Sequence, residues 1–240
     1  MLRLRPSRLL TLVLTVLAVD ARAEEPAQPE MWQMGDEVKI FDGKSLEGWR
    51  IIEKFDFADH GKCEVVDGVI RLPKGDPATG ISWKEDNLPR NNYELNMKGR
   101  RTEGSDFFCG LTFPVKEEYC SLILGGWGGQ MVGLSNIDGF SAIENETTRV
   151  IEFENNRWYD IRLRVTDTHI EIWIDKEQII NLEKRQRKFS IWWEQEPVTP
   201  LGLVTWRCSG ELKDLKLHHL VKANPDSNIK EASSESNDTP

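Results

Sequence analysis

Histidine and cysteine are scarce in this chain, with four of each in 240 residues. His60 and His169 stand alone, and the spacing of Cys63, Cys109, Cys120 and Cys208 resembles no zinc site, so a metal cluster built on these residue types finds no support. Helical periodicity is missing too. No segment offers an amphipathic helix of useful length, and without βα alternation a parallel α/β fold drops out. The piece Gly125-Gly126-Trp127-Gly128-Gly129 is followed by no Lys-Ser/Thr and opens no helix, which rules against a phosphate loop. It reads instead as a loop that lets Trp127 approach a ligand or a neighbouring strand. No internal repeat is present.

Positive charge is in deficit. The chain has 31 Lys and Arg against 40 Asp and Glu. Part of the basic complement sits in the first residues (Arg3, Arg5, Arg8), ahead of an apolar run from Leu9 to Val19 that is too short to span a bilayer comfortably. Ala21-Arg22-Ala23 then supplies a signal-peptidase pattern, so residues 1–23 are expected to be a removable export signal, with an uncut anchor as the alternative. Cleavage would leave 27 basic and 39 acidic side chains, a formal charge of -12. Such a surface repels nucleic acid and anionic membranes, so the expected partner is a neutral molecule. The expected location is periplasmic or extracellular.

Residues 24–37 are expected to be a linker, 38–220 one domain and 221–240 a disordered tail, since Lys222 to Pro240 has almost no large apolar side chain to offset its ordering entropy. The domain's roughly 200 residues suffice for one sizeable core. The four cysteines either form bridges or stay reduced as small buried hydrophobes, and the sequence does not choose between the three possible connectivities and none.

What the chain does have is alternation. From Trp158 to Arg164, residues Tyr159, Ile161 and Leu163 share one face, with Asp160, Arg162 and Arg164 on the other; Ile170, Ile172 and Ile174 repeat the pattern after a turn at Thr166-Asp167-Thr168. This is an antiparallel hairpin. A second one is expected around Pro114 to Glu117, with Phe107, Cys109, Leu111 and Phe113 inward against Cys120, Leu122 and Leu124. Strand-like segments recur from Val38-Phe41 to Glu211-Leu220, punctuated by Asp67-Gly68, Glu103-Gly104, Asp138-Gly139 and Ser209-Gly210. The fold class is all-β, a double-sheet sandwich or jelly roll.

The runs Phe41-Asp42-Gly43-Lys44-Ser45-Leu46-Glu47-Gly48-Trp49, Cys63 to Ile70, Arg157-Trp158-Tyr159-Asp160-Ile161 and Pro200-Leu201-Gly202-Leu203 resemble the 3-keto-disaccharide hydrolase domain family, also described as 3-keto-glucoside lyase/hydratase domains. The resemblance spans about Val38 to Leu220. It implies a concanavalin- or laminin-G-like jelly roll and a hydrolase or lyase acting on oxidised sugars, so that the expected partner is a neutral or oxidised saccharide. A keto group at C3 acidifies the C2 proton, so a base can remove it and expel the glycosidic group, after which water adds to the enone. The enolate needs a donor or a metal to stabilise it. No cofactor is expected, and a divalent metal stands as the alternative to a donor.

Asp106 and Glu171 are the candidate catalytic carboxylates, expected to converge with Arg162 and Trp173 on one concavity. Glu171 as base, with Trp173, Arg162 and Arg164 on the same hairpin face, would give an aromatic platform beside two cations; the alternative is a Glu paired to an Arg across the strands. Asp106 as a second catalytic carboxylate lies where the family carries a polar residue, its alternative being a turn cap. Trp127, Trp192, Trp193, Trp206 and Arg207 are candidates to line a substrate cleft, whereas Trp49, Trp83 and Trp158 are expected in the core or at its edge. Two further expectations compete with an enzyme: a non-catalytic sugar-binding module and an envelope interaction domain on the same sandwich.

Overall fold

The computed structural model describes residues 31–223, and the expected signal segment at 1–23 lies outside them. Fifteen strands run in chain order: β1 (Trp32–Val38), β2 (Trp49–Ile51), β3 (Glu64–Val66), β4 (Val69–Leu72), β5 (Ala78–Trp83), β6 (Tyr93–Glu103), β7 (Cys109–Val115), β8 (Glu118–Gly126), β9 (Met131–Ser135), β10 (Arg149–Val150), β11 (Tyr159–Val165), β12 (His169–Ile174), β13 (Glu177–Glu183), β14 (Gly202–Trp206) and β15 (Ser209–Lys222). The eight-stranded sheet has the order β13-β12-β11-β6-β15-β4-β3, with β1 also on β15; the seven-stranded sheet has the order β10-β9-β8-β7-β14-β5-β2. Every pairing is antiparallel. The architecture is the all-β sandwich that alternation predicts.

The core lies between the sheets. Leu95, Leu163, Ile172 and Leu217 from the larger sheet meet Leu111, Phe113, Leu122 and Leu203 from the smaller, all essentially inaccessible to solvent. Each such side chain contributes about 1.5–3 kcal/mol by burial. In the larger sheet the alternation is clean: β11 and β12 bury every second residue and turn the rest to solvent. The smaller sheet differs, because β5 and β7 are buried along their whole length. Its outer face is roofed by a second cluster of Ile52, Phe57, Ala78, Val198 and Val204, flanked by Phe107 and Trp206. Two 3-10 turns, Phe55–Phe57 and Trp193–Val198, supply part of that roof.

Three expectations are corrected. Residues 32–37, expected within a linker, form β1, which pairs with β15 from Trp32↔Lys222 to Val38↔Leu217; the first strand is therefore not Val38-Phe41, and β15 carries Val221 and Lys222 beyond the expected domain end. The central hairpin turns on Lys116-Glu117 alone, with Pro114 inside β7 opposite Tyr119. Proline is tolerated there because β14 pairs only with Gly110 to Thr112, so no neighbour on that side needs its missing N–H. Phe107 and Phe108 also exchange roles. Both precede the regular strand, and it is Phe108 that enters the core against Phe153 and Tyr159, while Phe107 stacks on Trp206 on the outer face.

All four cysteines are free and buried. Burial pushes the thiols of Cys63, Cys109 and Cys120 up to about 12 and that of Cys208 to about 11, from an ordinary 9.0. A folded pKa above the unfolded one makes this contribution to stability full below about pH 9 and progressively lost towards pH 11 to 12. A thiol reagent at neutral pH is expected to label none of the cysteines in the native protein and all of them after unfolding in guanidinium; labelling ahead of the unfolding transition would contradict this packing.

Candidate active site

The outer face of the seven-stranded sheet mixes glycines and hydroxyls with branched apolar side chains: Gly110 and Thr112 of β7, Ser121 and Ile123 of β8, Ser135 of β9, and Gly202 and Val204 of β14. The hydroxyls are spent on each other and on neighbours, Thr112 Oγ1 lying 2.7 Å from Ser121 Oγ and Ser135 Oγ donating to Asn136 Oδ1 at 2.8 Å. Where the roof stops, a cavity of about 270 Å³ opens, lined by Asp106, Phe107, Ile123, Trp127, Ser135, Trp192, Gln195 and Trp206. One carboxylate, one amide and three indoles converge here.

Each wall has its own local cause. Trp127 is held at φ 48° at the tip of the Gly125–Gly129 loop, half exposed. That loop closes tightly around a buried cation. Gly129 has φ 110°, and a Cβ there would stand 3.0 Å from both Arg101 Nη1 and Ser105 O, a position that only glycine fills without strain. Trp206 ends β14 and lies 6.0 Å from the Phe107 ring at an interplanar angle of 25°. Trp192 caps the second 3-10 turn, and Gln195 follows three residues later on the same side, as a period of three requires.

Arg101 ties these parts together. It is 6% exposed and faces no carboxylate; its guanidinium donates to Asn155 Oδ1 (2.6 Å), Phe153 O (2.8 Å), Asp106 O (3.3 Å) and Gly129 O (3.4 Å). A buried charge survives only when its donors are satisfied, and four neutral oxygens on three loops satisfy this one. Cys208 Sγ donates at 3.0 Å to Phe107 O, fixing the same bend from the other side.

The Asp106 carboxylate accepts the Phe107 N–H at 2.8 Å. Burial raises its pKa above the usual carboxylate range, and the N–H groups of Phe107 and Gly128, the charge of Arg207 and the N–H of Trp127 oppose that rise without cancelling it. Arg207 is exposed on the rim, its backbone held by Pro77 O at 2.7 Å. A half-buried carboxylate with a raised pKa between aromatic faces is suited to exchanging a proton with a bound molecule.

The other candidates lie elsewhere. Glu171, Arg162 and Trp173 are on the outward face of the larger sheet, not in this pocket. Trp173 is clamped between guanidinium groups, Arg162 at 3.7 Å and Arg164 at 5.3 Å from its ring centre. Glu171 accepts Gln178 Nε2 at 3.0 Å and lies 3.9 Å from Arg164, which is itself held at 2.8 Å by the buried Glu94. The cross-strand pairing alternative thus describes Glu171. Trp49 and Trp83 are core residues in an edge contact, and Trp158 lies between Arg100 and Lys213 on the outer face. Phe107, Ile123, Ser135 and Gln195 were not singled out by sequence. The first three sit on strands or bends whose outer face looks apolar or small, and only the i, i+3 spacing of Trp192 and Gln195 carried a signal. Among the described residues no group of three or more His, Cys, Asp or Glu is placed to hold a metal ion, and no helix is long and apolar enough to cross a membrane.

The chain is a two-layer antiparallel β-sandwich protein with an aromatic pocket on the outer face of one sheet. The match is to the family of 3-keto-alpha-glucoside-1,2-lyase-like domains over residues 36–217, and the chain belongs to that family. No curated protein matches it. Among solved structures it is similar to a Bacillus subtilis protein of unknown function with a galectin-like fold, at 10% identity over 80% of this chain and 100% of that one, with a TM-score of 0.56. A non-specific endo-beta-1,3(4)-glucanase gives 9% identity, 83% and 95% coverage and 0.48. A carbohydrate-binding module from Bacillus subtilis gives 11%, 71% and 95%, and 0.45.

Replacing Arg101 by Met keeps the length and removes the donors, stranding buried carbonyls of Asp106, Gly129 and Phe153. A loss of about 2–4 kcal/mol in urea unfolding is expected. Arg101→Lys should recover only part of it, since an ammonium cannot reach four acceptors arranged around a fork.

Proposed function

We propose that the protein is an exported enzyme that cleaves 3-keto-glycosides, with Asp106 as the base. The observation that carries this reading is the position of Asp106: a half-buried carboxylate of raised pKa facing Trp127, Trp192 and Trp206 in one pocket. The indoles offer flat faces to the C–H surface of a pyranose. With the keto ring seated there, the Asp106 carboxylate takes the C2 proton, the electron pair forms the enolate, and collapse of the enolate breaks the C1–O bond and expels the aglycone oxygen. The protonated Asp106 gives its proton to that departing oxygen, leaving a C1=C2 enone. Water then adds across the enone, its hydroxyl bonding to C1 and its proton passing through Asp106 to C2. The Gln195 amide can donate to the developing enolate oxygen, while the charge of Arg207 opposes the rise in the Asp106 pKa.

A non-catalytic sugar-binding module is the second reading. It draws on the fact that Asp106 is the sole carboxylate lining the pocket, so one group has to serve as both base and acid. Export rests on the pattern at residues 1–23.

The test is incubation of the purified protein with a 3-keto-disaccharide, followed by assay of free reducing sugar. Asp106→Asn is expected to lower turnover by about 10²–10⁴-fold while leaving saturable binding in place. Saturable binding without turnover in the wild type would favour the second reading. The same variant carries a stability signature. Because folding raises the Asp106 pKa, the ionised group costs stability once the pH exceeds its unfolded value, and the cost vanishes in acid. The Asn variant should therefore melt no lower than wild type at neutral pH, with any advantage shrinking as the pH falls.

A further inference from the structure

The second 3-10 turn separates two concavities. Trp192 and Gln195 face the tryptophan pocket, whereas Glu196 and Pro197 face a neighbouring hollow of about 430 Å³ whose far wall is the segment Arg50 to Lys54. Phe55, next in the chain after the lining residue Lys54, meets Trp193 of the turn edge to face, ring centres 5.4 Å apart at 77°, and they are 52% and 67% exposed. Two large aromatics side by side in water, next to an aromatic pocket, are a costly arrangement that core packing does not require.

The hollow is rigidly walled. Arg50 donates to Ser82 Oγ (3.1 Å), Pro197 O (3.3 Å) and Thr199 O (3.1 Å), which pins the turn against β2 and leaves Glu53, Lys54 and Glu196 as the solvent-facing polar groups. Flat rings flanked by hydroxyl-binding carboxylates and an ammonium match a pyranose, apolar on its faces and polar around its rim.

We propose that this hollow and the Phe55–Trp193 pair beside its lining residues form a second sugar subsite, which holds the leaving sugar of a substrate whose oxidised ring occupies the tryptophan pocket. The proposal rests on the catalytic reading above. It makes the enzyme selective for a disaccharide over a glycoside with a small leaving group.

The test compares kcat/KM for a 3-keto-disaccharide with that for methyl 3-keto-glucoside. Trp193→Ala and Phe55→Ala should each lower the disaccharide-to-methyl ratio roughly 5- to 10-fold, as expected for loss of one aromatic contact, and Trp193→Phe should restore most of it. Both side chains are exposed, so unchanged melting temperatures are expected and would show that the variants fold. A ratio that stays at the wild-type value in both Ala variants overturns the subsite and leaves the pocket untouched. Wild-type turnover of neither compound overturns the catalytic reading and the leaving-group assignment together.

Discussion

The seven-stranded sheet has two faces to bury, and most of the molecule's detail follows from that. One face closes the sandwich against the larger sheet. The other has no third sheet above it, so irregular segments must cover it: the turn at Phe55–Phe57, the turn at Trp193–Val198, and the Phe107–Trp206 pair. A sheet buried on both sides loses its hydrophobic alternation. Small residues let the cover approach closely, and a Cβ on Gly202 would collide with Val198, or one on Gly80 with Phe57. The pocket is the part of this face that the cover does not reach.

A roof made of loops needs an anchor that a sheet would get from its hydrogen-bond ladder. Arg101 serves this purpose at the end of β6, taking backbone oxygens from the 104–108 bend, the glycine loop and the 153–155 segment into one fork. Neutral acceptors suit the task better than a carboxylate would. An ion pair concentrates the interaction on one partner, whereas four N–H bonds spread over three loops fix their mutual positions. The carboxylate left nearby, Asp106, then has only N–H groups and the distant rim charge of Arg207 to favour its ionised form.

This division also explains how much could be read from sequence. The β11–β12 hairpin was legible residue by residue because one of its faces meets water, which preserves period-2 alternation. β1 was not: its burial follows no simple alternation, and it is fixed by pairing with β15 some 180 residues later, as the contact between Trp32 and Lys222 illustrates. The exchange of Phe107 and Phe108 was equally hidden, since alternation cannot be extrapolated through a bend. Asp106, Trp127 and Trp206 were recoverable as chemistry-bearing residues beside turns. Grouping them with Glu171, Arg162 and Trp173 failed for a specific reason. Periodicity reports which face of a strand a residue occupies, and Arg162 does sit 3.7 Å from the Trp173 ring, but it does not report which of two sheets turns that face towards the ligand.

The contrast between the two carboxylates shows why the sheets divide their tasks. Glu171 belongs to a lattice in which Glu94, 1% exposed, is compensated by Arg164 and Asn96, and Arg164 in turn reaches Glu171 and the Trp173 ring. Its carboxylates are held in place by several contacts at once, an arrangement that suits a fixed outer surface. Asp106 gives up far less on protonation: its closest fixed contact is a single 2.8 Å N–H bond, and burial already favours the neutral acid. A group that changes charge during a reaction has to sit where neither state is strongly preferred. In this sandwich the carboxylate whose pKa burial raises lies on the sheet whose outer face is covered by loops, and the carboxylates paired to arginine lie on the sheet whose outer face is covered by salt bridges.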